Sequence, residues 1–91
     1  MNGTLENKMS KYNKLKIAWA CRRGMLELDF MIMPFYQNCF DLLSEPQKAT
    51  FVELLEYTDP ELFRWLMNQQ TAPTAELAAM VKRIQDHLAD K

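Results

Sequence analysis

Glycine is almost absent from this chain of 91 residues, which has Gly3 and Gly24 and no other. A glycine-rich loop that wraps backbone N–H groups around a nucleotide phosphate is thereby excluded. Histidine is scarcer still, with His87 alone. Zinc sites take about three or four His, Cys or carboxylate ligands at set spacings, and none is spelled here. The two cysteines, Cys21 and Cys39, are too distant for a CxxC pair and too few for a disulfide framework. They read as free thiols packed as small hydrophobes in a reducing cytoplasm. The first fourteen residues are polar and lack the apolar stretch of an export signal. No long hydrophobic run exists either: the longest, Phe30 to Tyr36, is broken by Pro34 and falls far below the ~20 residues that span a bilayer. Neither sign of charge dominates. Eleven basic residues face twelve acidic ones, for a net charge of −1. That balance, with no basic helix, argues against a helical DNA-binding regulator.

What is present is a globular composition, 48% hydrophobic and 25% charged, in a length that suits one thin-cored domain. Residues 1–11 show no apolar period and are expected to form a flexible tail, with 12–91 as the folded domain. From Tyr12 a helical period begins, with Tyr12, Leu15, Trp19 and Arg22 on one face beside Ala18. Arg22-Arg23-Gly24 reads as its stop, because cations favour a helix C-terminus and glycine closes it with a positive φ. A second period follows through Met25, Leu28, Met31, Ile32 and Phe35, expected to bend at Pro34 and run on to Leu43. Ser44 and Gln47 form a capping-box signature for a third helix, with Phe51, Leu54 and Leu55 on its buried face. Asp59-Pro60 reads as the cap and first position of a fourth, burying Leu62, Phe63 and Leu66 with Trp65 off the stripe. Thr74 caps a fifth, whose apolar face is Leu77, Met80, Val81, Ile84 and Leu88. No stretch alternates like a strand. The fold class is all-α, a single bundle of about five short helices.

Chemistry is hard to find. His87 reads as a last-turn surface histidine, and a Cys21–His87 nucleophile and base would rest on residue types alone. Met25, Met31 and Met33 either fill core gaps or line an adaptable groove. The corner from Arg22 to Glu27 gathers opposite charges beside a tight bend, and spacing alone favours a cap and a surface salt bridge there. The chain has no active site of its own and is expected to work by docking on a larger protein.

The run Trp19-Ala20-Cys21-Arg22-Arg23-Gly24-Met25-Leu26-Glu27-Leu28-Asp29 resembles the signature of the succinate dehydrogenase assembly factor family. The family's hallmark, R-G-x-x-E, is matched by Arg23, Gly24 and Glu27. Met33-Pro34-Phe35, Leu54-Leu55-Glu56 and the run Asp59 to Leu66 agree in order and spacing, so that the resemblance covers roughly residues 12–88. It implies a five-helix chaperone that binds the flavoprotein subunit of succinate dehydrogenase, or of the related fumarate reductase. The factor promotes covalent attachment of FAD to a histidine of that client. FAD belongs to the client, and no cofactor is expected to bind the factor tightly. The family has also been described as the antitoxin half of a pair with a small membrane protein, so an antitoxin-type regulator is the alternative. Neither role implies nucleic acid, membrane insertion or catalysis by the chain, which is expected to be monomeric. Arg23 and Glu27 are then expected to be exposed and to reach the client, with Gly24, Arg22 and Trp19 beside them, although Trp19 is equally suited to the core.

Overall fold

Five α-helices and one 3-10 turn follow one another in the computed structural model, which describes residues 13–89. They are α1 (Lys14–Ala20), α2 (Leu26–Cys39), the 3-10 turn Phe40–Leu42, α3 (Glu45–Leu54), α4 (Asp59–Leu66) and α5 (Ala75–Ala89). No strand occurs among the described residues. The all-α bundle is as expected. The tail, residues 1–11, lies outside the described residues.

Local signals account for most boundaries. Asn13 caps α1 by accepting from the Lys16 N–H. The Ser44 and Gln47 side chains satisfy each other's backbone N–H groups at the start of α3. Thr74 Oγ1 accepts from the Leu77 N–H to open α5. The fourth helix starts differently from the reading above. Its cap is Thr58, whose hydroxyl accepts from the Glu61 N–H while Glu61 accepts from the Thr58 N–H. The Thr-x-x-Glu spacing closes a reciprocal box that Asp59 would lack, and Asp59 becomes the first helical residue. Helix α2 runs through Pro34 and continues to Cys39 before tightening into the 3-10 turn.

Helix α5 packs on α2, α3 and α4 and is the centre of the bundle. Its Leu77, Met80, Val81 and Ile84 are buried against Leu28, Ile32, Phe35, Phe51, Leu54 and Leu62. Phe35, Tyr36, Phe40 and Phe51 form a ring cluster with centroids 5.3–6.2 Å apart. Met25, Met31 and Met33 are half-buried and pack against this core. Trp65 is buried, not off the stripe, because Tyr57 stands edge-on to it at 4.9 Å.

Helix α1 turns the other way from its sequence pattern. Its buried side chains are Ile17 and the capping Cys21, while Leu15 and Trp19 are 70% and 68% exposed. Seven residues make only two turns, too few for a periodic count to tell one apolar face from another. The arm lies along α2: Tyr36 Oη donates to the Lys14 carbonyl, and Lys14 pairs with Asp41. No described helix is long and apolar enough to cross a membrane.

Candidate docking surface around the Gly24 turn

The chain leaves α1 through three closing hydrogen bonds, from the Cys21 N–H to the Ile17 and Ala18 carbonyls and from the Arg22 N–H to the Trp19 carbonyl. It then turns at Gly24, whose φ of +83° lies in the region that glycine alone enters freely. A Cβ built there meets nothing within 4 Å, so the glycine serves the backbone angle and not a close approach. Helix α2 begins at Leu26 without a side-chain cap at Met25. Asp29 reaches back from its first turns instead and accepts from the Arg23 N–H at 2.8 Å. Negative charge is favoured at that end of a helix.

Arg23 is not the exposed side chain that the sequence led us to expect. Its guanidinium points inward, 13% exposed, and is spent on four oxygens of its own chain. Nε donates to Asp59 Oδ1 at 2.8 Å, Nη1 to the carbonyls of Ala20 and Leu55, and Nη2 to that of Tyr57. Ala20 ends α1, and Leu55 and Tyr57 follow α3, so these are carbonyls that a helix end leaves without partners. A cation there also complements the helix dipoles, and Asp59 sits at the favourable end of α4. A planar fork can satisfy several acceptors at fixed angles, which an ammonium cannot.

The other expected site residues do lie at the surface. Trp19, Arg22, Gly24 and Glu27 are exposed. Glu27 and the Arg22 side chain have no hydrogen-bond or ion-pair partner among the described residues, so Glu27 and Arg23 do not serve each other. Sequence reasoning missed two exposed apolar side chains next to them, Leu26 and Phe30, at 64% and 66% exposure. These are one turn apart on α2 and, with Met33, form a stripe at positions i, i+4 and i+7. Met33 meets Leu15, Trp19 and Arg22 around a shallow depression of about 330 Å³ between α1 and α2. The two helices flanking the turn thus present an apolar face edged by Arg22 and Glu27. The missed partner, Asp59, had a signal: Thr58-x-x-Glu61 would have supplied the cap and left the aspartate free for another role.

Nothing in this region is poised for bond-making. Cys21 is fully buried, and burial pushes its thiol up to about 12, with the Arg23 charge pulling less strongly the other way. It is therefore protonated at neutral pH and no nucleophile. His87 is half-buried rather than a surface residue, edge-on to Phe35 with centroids 5.8 Å apart and with Nε2 3.3 Å from the Asn38 side-chain nitrogen. Among the described residues no three His, Cys, Asp or Glu side chains gather where they could hold a metal ion.

Residues 15–88 match the model of a family described as the flavinator of succinate dehydrogenase. The chain belongs to that family. It is 59% identical over 76 residues to the FAD assembly factor SdhE of Haemophilus ducreyi, covering 84% of this chain and 93% of the relative. The corresponding factor of Vibrio cholerae is 53% identical over 78 residues, with 86% and 91% covered. Among solved structures, the solution structure of a UPF0350 protein superposes with a TM-score of 0.72 at 50% identity, covering 87% of each chain. The flavinator family is the one that the R-G-x-x-E resemblance pointed to.

Proposed function

We propose that this chain is an assembly factor that docks on the flavoprotein subunit of succinate dehydrogenase and promotes covalent attachment of FAD to it. The flavoprotein subunit of fumarate reductase is a second client. The observation that carries the reading is the exposed face of Leu15, Trp19, Leu26 and Phe30 beside the Gly24 turn, in a member of a flavinator family. Large apolar side chains left together at a surface suit a protein interface, and Trp and Arg are common anchors of one. Trp19, Arg22, Gly24 and Glu27 belong to the docking surface.

The buried thiol and the lack of a phosphate-cradling loop leave the bond chemistry to the client. The factor accelerates it by favouring the client conformer in which flavin and acceptor are aligned. It does this as a cytoplasmic monomer with no tightly held cofactor of its own. The apolar stripe of α5 supports the monomer, since Leu77, Met80, Val81 and Ile84 are already covered within one chain.

The test mixes purified flavoprotein subunit lacking covalent flavin with FAD, with and without the chain, and reads flavin fluorescence on the denatured subunit. Covalent flavin should rise with the chain present. Trp19→Ala and Phe30→Ala should weaken docking at least tenfold while shifting stability by less than about 0.5 kcal/mol, as expected of exposed hot-spot side chains. Equal covalent flavin with and without the chain would overturn the function. Full activity of both variants would remove this face from it.

A further inference from the structure

We infer that Arg23 and Asp59 are positioning residues for docking: their ion pair, together with the carbonyl contacts of the same guanidinium, locks the Gly24 turn onto the α3–α4 turn and so sets how the α1 and α2 faces are presented. The inference rests on the docking reading above.

Three observations lead to it. First, four of the five guanidinium N–H groups are used inside the chain, one on Nε, two on Nη1 and one on Nη2. Little of the fork remains for a partner's carboxylate. Second, α1 is lightly held. Ile17 and Cys21 are its buried side chains, and its far end is tied by two exposed contacts, the Tyr36 hydroxyl on the Lys14 carbonyl and the Lys14–Asp41 pair, which is 51% and 69% exposed. Such a pair is screened by water and salt and holds weakly. The Arg23 contacts at the near end are mostly shielded, and they join residues 32 to 36 positions apart to the turn between α1 and α2. Third, the docking face is composite: Leu15 and Trp19 come from α1, and Leu26, Phe30 and Met33 from α2. A face made from two helices keeps its shape only if the turn between them is fixed. When the competent arrangement is populated only in part, apparent affinity falls by that fraction.

The experiment pairs hydrogen exchange on the free chain with covalent flavinylation of the client, for Arg23→Gln, Arg23→Lys and Asp59→Asn. In Arg23→Gln the amides from Arg22 to Asp29 should exchange faster while α5 keeps its protection. The half-saturating client concentration should rise about tenfold, with the maximal rate retained, as a loss of preorganisation requires. Arg23→Lys should resemble Arg23→Gln, because one ammonium cannot replace the fork. Asp59→Asn keeps an acceptor and all three carbonyl contacts, and should change the same quantities in the same direction by only about twofold. Weakened docking with normal exchange in the turn would mean that Arg23 touches the client itself, and would overturn the inference. So would lost protection throughout α5, which would make Arg23 a general fold residue, or a Lys variant indistinguishable from wild type. A wild-type chain that fails to raise covalent flavin overturns the docking reading instead, and the exchange pattern alone then decides whether the lock exists.

Discussion

The side-chain amide of Gln85 donates to the Leu66 carbonyl at 2.9 Å, joining the middle of α5 to the end of α4. The same nitrogen lies 3.1 Å from Asn68 Oδ1 and 3.4 Å from the Trp65 carbonyl. It thus serves the Leu66 carbonyl at the end of α4 together with the side chain of Asn68, whose φ is +61°. Gln85→Ala should destabilise the fold by about 1 kcal/mol, or roughly 4–8 °C in melting temperature for a domain of this size. Gln85→Glu should cost more, because a carboxylate would face three oxygens without a donor. Thermal unfolding followed by circular dichroism checks both, and a Glu variant as stable as wild type would refute the arrangement.

At Gly24 the cost of a side chain is conformational and not steric, since φ is +83° and the Cβ position is open. Gly24→Ala should cost about 1–2 kcal/mol, the penalty of a left-handed angle for an L-residue. Gly24→Asn should cost less, because asparagine tolerates that region, and Gly24→Val should cost most. Equal melting temperatures for the Asn and Val variants would contradict the assignment.

The Thr58–Glu61 box carries a pH signature. Hydrogen bonds from the Thr58 backbone, and then from its hydroxyl, hold the Glu61 carboxyl below the ordinary 4.5. A carboxyl whose pKa is lower in the folded state adds stability above its unfolded pKa and loses it as pH falls through the folded one. Wild type should therefore lose more stability than Glu61→Gln when pH drops from neutral to below about 4, the ordinary glutamate range. Urea unfolding at both pH values measures it. Parallel losses in the two proteins would show that the box contributes nothing.

The two thiols should differ sharply in reactivity. Cys21 is fully buried and held up to about 12, whereas Cys39 is half-buried. A disulfide reagent at pH 8 should modify Cys39 in the native protein and Cys21 only after unfolding. The sign for stability follows from the raised value: the Cys21 contribution is complete below the ordinary 9.0 and is lost as pH rises from there toward 12. Immediate modification of both thiols in the native chain would refute the burial.

Where local chemistry decides a structure, the sequence was readable. Ser44 with Gln47, Thr74, and the stripe Leu77, Met80, Val81 and Ile84 stand as read, with Leu88 at its end only half-buried, because caps and sustained helical periods are set by neighbours in the chain. The positive φ at Gly24 belongs to the same class. Readings failed where distant partners decide. Nothing near Arg23 reveals that Leu55, Tyr57 and Asp59 will surround it, so a charge expected to face solvent is turned inward. Trp65, expected off the buried stripe, is covered for a similar reason, and Trp19, suited on sequence alone to either core or interface, stays at the surface. The short α1 is seated by Ile17 and Cys21, which leaves Trp19 outside, and Tyr57 covers Trp65. Of the proposed docking surface, Trp19, Arg22, Gly24 and Glu27 could be picked from the motif, while nothing in the sequence sets the exposed Leu26 and Phe30 apart from ordinary helix residues.

The central place of α5 has a consequence for how the chain is made. This helix covers α2, α3 and α4, yet it follows all of them in the order of synthesis. Until it leaves the ribosome, Phe35, Phe51, Leu54 and Leu62 have no lid, and the nascent chain carries an open apolar trough. Closure of the bundle is therefore a late event that awaits translation of Leu77 to Ile84, and a premature stop before Ala75 should yield a sticky fragment cleared by proteases rather than a smaller working factor.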